Sequence, residues 1–364
     1  MSAEDRTQRK IDDLERRVRQ HPDDHEAVPL LVRAYMAAGR HGHATDVLEE
    51  RVRGADPPSL DLLRLYCDAA LQAGRADRAF DLLASLEPKL GDQARYWTHR
   101  GRMLEEVGKL EEARTEHERA AELDPRDAEV LFRLGATLMK LHHDREAISS
   151  FERALAADPS MTKAQINIGV LFDQMGKSDL AIQAFRRAIE ANPSSVESHC
   201  NLGAAYGDLG RQKDAIEEFR KALAIDPDCG LARFNLGMVL MESAPEEALG
   251  ELRRAQVLEP GNWDISFNLG VVYFRKGMYD ACVKLLQACV QARPNAAQAL
   301  YYLGAAYNKK DQPGLAIECL EKVVDLDPSN GRAHFYLGVA YDKKGQFDRA
   351  RLCYQASDRL GGRE

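Results

Sequence analysis

Four asparagines, Asn167, Asn201, Asn235 and Asn268, recur at intervals of 34, 34 and 33 residues. A side-chain amide both donates and accepts hydrogen bonds, so a file of them can pair with the backbone of an extended peptide whatever its sequence. One residue before this position stands a second series: Phe132, Ile166, Cys200, Phe234, Phe267, Tyr301 and Phe335. In the last two intervals Tyr302 and Tyr336 take the asparagine's own place, so the candidate contact surface becomes aromatic there. Three residues after the asparagine position come Ala136, Val170, Ala204, Met238, Val271, Ala305 and Val339. A floor this apolar suits the hydrophobic face of a partner helix as well as an extended peptide, or reflects tight packing between neighbouring elements.

A third series is basic. Arg275-Lys276, Lys309-Lys310 and Lys343-Lys344 recur at one place in the last three intervals. Residues 263–364 hold 14 basic and 11 acidic side chains, against 36 and 47 in residues 1–262. An acidic partner segment is therefore expected to dock at the C-terminal end through Arg275, Lys309 and Lys343, unless these cations only complement helix C-termini.

Other chemistries find no constellation. The ten histidines lack metal-ligand spacing, and His41/His43 and His142/His143 sit in or near polar turns. Seven scattered cysteines with no C-x-x-C pair argue against a disulfide framework and a structural zinc site. Cys282 and Cys289 read as small buried hydrophobes. No phosphate loop, nucleophile elbow or H-E-x-x-H is present, so no catalytic residue, metal or cofactor is expected. The net charge of −8 argues against a nucleic-acid partner. No apolar run is long enough to span a membrane and no signal peptide is evident, so the expected location is cytoplasmic.

The elements that must position these residues share the same period. Leu134-Gly135, Ile168-Gly169, Leu202-Gly203, Leu236-Gly237, Leu269-Gly270, Leu303-Gly304 and Leu337-Gly338 follow at 34, 34, 34, 33, 34 and 34 residues. Ala147, Ala181 and Ala215 lie twelve residues after their glycines, and Phe151, Phe185 and Phe219 lie four residues later. Prolines from Pro125 to Pro328 close each period, most after Asp, Asn or Glu. Apolar spacing of three and four makes each period two amphipathic helices, with a polar turn such as Gly176-Lys177-Ser178-Asp179 between them. A glycine inside the first helix costs about 1 kcal/mol of propensity. It is tolerable where a neighbour packs too closely for a Cβ, with Phe filling the space between. Proline ends the second helix by disfavouring a helical residue before it.

This pattern resembles the tetratricopeptide repeat (TPR) family, with Tyr206, Tyr273, Tyr307 and Tyr341 in the family's Tyr slot. The resemblance implies an all-α, superhelical solenoid of about ten helix-turn-helix repeats. A capping helix over residues 1–24 carries Ile11, Leu14 and Val18, with Pro22 closing it. Two degenerate units follow over 25–92, then eight clear units over 93–364, in one continuous solenoid. The resemblance also implies that the first helices line a concave groove for a partner peptide or helix. The asparagine file is similar to the ladder in the TPR half of O-linked N-acetylglucosamine transferases. Lys and Asn of the chaperone-tail clamp are replaced by aromatic and apolar residues here, which disfavours that partner.

The expected function is a non-enzymatic scaffold or adaptor. A self-assembling structural protein joined through its repeat ends, or a regulatory subunit of a separate enzyme such as a glycosyltransferase, are the alternatives. The final unit bears on the first of these, because Ala350, Leu352, Tyr354 and Leu360 are expected to be partly uncovered, or shielded by Arg349, Arg351 and Arg359.

Overall fold

Asp-Pro and its variants end one helix and begin the next turn from residue 124 onward. Asp124, Asp158, Asn192, Asp226, Glu259, Arg293 and Asp327 are the C-cap residues of seven second helices, each with a proline after it. The carboxylates of Asp158, Asp226 and Asp327 then accept from backbone N–H groups two residues on, at 2.9, 3.0 and 3.1 Å. The acid therefore both stops the helix and closes the turn. Asp127, Ser195, Asn262 and Asn330 next cap the following first helix through their side chains.

The computed structural model describes residues 3–21 and 26–362, with the backbone alone at 3–5. Every element among them is a helix. The chain divides into two compact units at Pro193/Ser194. The first unit opens with α1 (Ala3–Gln20), and its helix pairs are α2 (Ala27–Ala37) with α3 (His41–Gly54) and α4 (Leu60–Gln72) with α5 (Ala76–Leu90). It continues with α6 (Ala94–Glu106), α7 (Leu110–Leu123), α8 (Ala128–Lys140), α9 (Asp144–Ala157), α10 (Thr162–Gln174) and α11 (Ser178–Ala191). The second unit holds α12 (Val196–Asp208), α13 (Gln212–Ile225), α14 (Gly230–Leu240), α15 (Pro245–Leu258) and α16 (Trp263–Arg275). Its remaining helices are α17 (Tyr279–Ala292), α18 (Ala297–Lys309), α19 (Pro313–Leu326), α20 (Gly331–Lys343) and α21 (Phe347–Arg359). Pro22, Arg363 and Glu364 lie outside the described residues.

From α6 onward each repeat closes where the first-helix glycine meets the second helix. A Cβ on Gly135 would lie 2.7 Å from the Phe151 ring, and Phe219 covers Gly203 in the same way. Later repeats use Leu252, Leu286, Leu320 and finally Tyr354 against Gly237, Gly270, Gly304 and Gly338. The prolines with helical φ at α15 and α19 occupy the first turn, where a missing N–H costs nothing. The shortened connection at Ser243-Ala244-Pro245 thus starts α15 directly.

Within each unit, first helices pack on the first helix of the next repeat, as in α4 on α6, α6 on α8, α16 on α18 and α18 on α20. No successive pair of second helices packs to that extent among the described residues. The first helices therefore form the close-set, inner side of each stack. The Tyr slot ties that inner side to the preceding second helix. Arg253 donates to the Tyr273 hydroxyl at 2.9 Å, and Tyr341 donates to Glu321 at 2.5 Å. Tyr35 donates likewise to Glu15 of α1, twenty residues back and at 2.5 Å. The helix α1 thus meets α2 as a second helix meets the next repeat, with Ile11 and Leu14 buried beneath it.

The final helix corrects one expectation. Ala350 is buried, and Tyr354 covers Gly338 while donating to Asp342 at 2.8 Å. Leu352 and Leu360 stay exposed, at 61% and 43%, as does Phe347 at 70%. Ala350 and Tyr354, four residues apart, share the buried face of α21, while Leu352 lies on the opposite one.

Candidate functional site

Side chains two and three residues before each glycine emerge beside the first-helix seam, since i and i+3 or i+4 share one helical face. Asn167, Asn201, Asn235 and Asn268 are all half-buried there. Asn268 turns its amide back to its own helix, donating to the Asp264 carbonyl at 2.9 Å. The amides of Asn201 and Asn235 in the second unit, and of Asn167 in the first, have no hydrogen-bond partner among the described residues. Phe234, Phe267, Tyr301 and Phe335 are half-buried, whereas Ile166 and Cys200 are buried. The apolar row divides: Val271 and Ala305 are sealed in the packing, and Met238 is 37% exposed.

In the last repeats the rings join into one wall. Trp263 stacks on Phe267 with centroids 5.1 Å apart, and Phe267 meets Tyr302 edge-on at 6.2 Å. Tyr302 touches Tyr301 at 5.1 Å, Tyr301 touches Tyr336 at 5.7 Å, and Phe335 lies against Tyr336 at 5.7 Å. These edge-to-face contacts are the arrangement favoured by the ring quadrupole. Burial, with the neighbouring Tyr336 and Tyr302, pushes the Tyr301 hydroxyl up to about 12, so it remains a neutral donor. The hydroxyls of Tyr301, Tyr302 and Tyr336 make no hydrogen bond among the described residues.

A cleft of about 350 Å³ opens along this wall. It brings Phe267, Asn268, Arg275, Tyr301 and Tyr302 together, and adds Val271, Gln298, Asn330 and Arg332. Spacing from the glycines did not point to Arg332 or Gln298, because they lie at the starts of their helices, outside the rows read as facing the groove. Phe335 and Tyr336 extend the wall beyond the cleft, and Phe234 stands apart on α14.

The basic pairs split by function. Lys276 pairs with Glu246, Lys310 with Asp280 at 2.5 Å, and Lys343 with Asp311 at 3.0 Å. In each case the carboxylate belongs to the preceding repeat. Lys343 also donates to the Asn308 carbonyl at 2.7 Å. Lys343 is thus engaged within the stack, while Arg275 and Lys309 have neither an ion pair nor a hydrogen bond among the described residues.

The first unit holds polar groups that the rows did not reveal. His117 occupies the place filled elsewhere by Phe or Leu, lying against Gly101 and fully buried. Its position sixteen residues after the glycine was the available signal. It neighbours Glu105, with Nε2 3.3 Å from Oε1. Burial raises the Glu105 carboxyl, but His117, Lys140 and Thr137 together hold it down at about 2. In the second unit His199 Nδ1 meets Glu218 at 2.7 Å. Glu218 thus satisfies His199, whereas both ring nitrogens of His117 are buried without a hydrogen bond among the described residues.

Tetratricopeptide-repeat family models match residues 94–137, 132–297 in overlapping pairs, 297–330 and 319–351. The chain is a tetratricopeptide-repeat protein. A comparison with curated protein sequences returns no match. Among solved structures, the TPR protein resembles Pseudomonas aeruginosa pilF, with a TM-score of 0.52, 18% identity and coverage of 56% of this chain and 95% of that one. It also resembles a human IFIT1 dimer with PPP-AAAA, with a TM-score of 0.51 and 16% identity over 97% and 94% of the two chains. The Cut9–Hcn1 hetero-tetramer of APC/C follows with 0.50 and 20% identity, over 93% of this chain and 60% of that one. At these identities the likeness concerns the TPR fold alone. No described helix of this TPR protein is long and apolar enough to cross a membrane.

Proposed function

We propose that this TPR protein is a non-enzymatic, cytoplasmic scaffold that holds an extended segment of a partner protein against the first helices of its second unit. The carrying observation is the pair of half-buried, unpartnered amides on α12 and α14, Asn201 and Asn235. Half-buried polar groups without internal partners are poised to bond an incoming backbone. An extended segment is favoured over a helix because its backbone N–H and C=O groups are free to pair with the amides, whereas those of a helix are bonded within it. Acidic residues in the segment would face Arg275 and Lys309.

The test is a crosslinked pull-down from native cells with wild type beside an Asn201→Ala/Asn235→Ala variant. Loss of a partner from the variant alone supports the reading, and an unchanged partner set refutes it. A second reading, self-assembly, draws on the exposed Phe347 and Leu352 of α21. Light scattering across protein concentrations decides it, since a strict monomer removes the idea.

A further inference from the structure

The cleft beside Tyr301 differs in chemistry from the amide positions on α12 and α14. Its walls are aromatic, and its charged lining groups are Arg275 from α16 and Arg332 from α20. Both arginines are exposed, and neither has an ion pair or hydrogen bond among the described residues. Ion pairs among the described cations of 263–362 are confined to Lys276, Lys310 and Lys343. Lys276 and Lys310, each adjoining a free cation in sequence, are both paired. No carboxylate lines the cleft.

Three further features point to an occupant. The Tyr301 and Tyr302 hydroxyls have no hydrogen-bond partner among the described residues, Gln298 is exposed, and Phe267 and Tyr302 are only half-buried. Guanidinium forks recognise carboxylates, and ring edges recognise another ring. Cleft size also fits a few side chains rather than a packed helix.

We infer that this cleft is a specificity pocket for an internal stretch of an extended partner segment, in which an aromatic side chain is flanked by acidic ones. The aromatic residue packs against Phe267 and Tyr302, while its acidic neighbours engage Arg275 and Arg332. This rests on the groove reading above but is separable from it, because the amides read backbone and the cleft reads side chains. The recognised carboxylates belong to side chains, so a free chain end is not needed.

The test is selection of a random peptide library, with blocked termini, against the immobilised full chain. Enriched peptides are expected to place Asp or Glu on both sides of Phe, Tyr or Trp. A selected peptide, measured by fluorescence anisotropy, should bind more weakly as salt rises. It should lose roughly tenfold or more in affinity with either Arg275→Ala or Arg332→Ala. Lys284→Ala, the same charge change at an exposed site on α17, should leave binding unchanged, and circular dichroism confirms that the variants fold. Neutral or basic enriched peptides, no enrichment, or affinity unaffected by the arginine changes would each overturn the cleft assignment. If enrichment is acidic and arginine-dependent while Asn201→Ala/Asn235→Ala has no effect, the cleft stands and the amide reading falls.

Discussion

The hydroxyl of Tyr307 accepts a hydrogen bond from Gln287 Nε2 at 2.7 Å, twenty residues back on the preceding second helix. The ring is buried, so the bond sets one repeat's inner helix against the outer helix before it. Tyr307→Phe should destabilise the fold by about 1 kcal/mol, the usual net worth of such a bond. A double-mutant cycle with Gln287→Ala in urea checks it, and zero coupling would assign the whole role to the ring.

Gly135 and Gly250 are both helical, yet their surroundings differ. A Cβ at Gly135 meets Phe151, whereas at Gly250 nothing lies within 4 Å. Gly135→Ala should cost about 1–3 kcal/mol through overpacking, outweighing its gain in propensity. Gly250→Ala should instead stabilise by up to about 1 kcal/mol. Thermal melts of the two variants must move in opposite directions.

His142 adopts φ 60°, where the matching turns of neighbouring repeats carry Gly108 at 80° and Gly176 at 69°. Left-handed backbone disfavours a side chain by roughly 1 kcal/mol. Because His142 is exposed, His142→Gly should raise stability by a similar amount, offset by greater freedom in the unfolded chain. An unchanged or lower urea midpoint would mean that the unfolded-state term cancels the relief.

Acid should weaken the first unit in two stages. Burial, helped by Arg102, Arg64 and Arg95, lowers His99 from 6.5 to about 4. The unfolded chain therefore binds a proton near pH 6.5 that the folded chain refuses until about pH 4, and stability falls as pH drops through that window. The contribution is on the order of 2 kcal/mol after allowance for partial exposure. His99→Gln should flatten this part of the profile.

Glu105 acts lower on the scale. Its carboxyl is held near 2 against an ordinary 4.5, so its stabilisation is complete above about pH 4.5 and is lost as pH falls towards 2. Glu105→Gln should remove that second fall and lower stability at neutral pH, where Lys140 loses its 2.8 Å partner. Urea titrations from pH 7 to pH 2 on both variants separate the stages.

Much of this architecture is legible in the residues. The recurrence of Leu-Gly, Ala, Phe and Pro specifies paired helices, their close approach and their ends, because each rule acts over a few residues of one chain. The period also places Asn201, Asn235, Tyr301 and Tyr302 on one face. Spacing could not say where their side chains go. Asn268 bonds its own helix while Asn235 stays open, although both hold the same row. Of the basic residues in that series, Lys343 is drawn to Asp311 and the Asn308 carbonyl, leaving Arg275 and Lys309 free. The cleft likewise needs Arg332, on α20 and four helices along the chain from Arg275. A long side chain chooses among partners some thirty residues away, and those come within reach only when the repeats stack. Helical periodicity sets the face a residue occupies; the neighbours brought there by packing set its bonds.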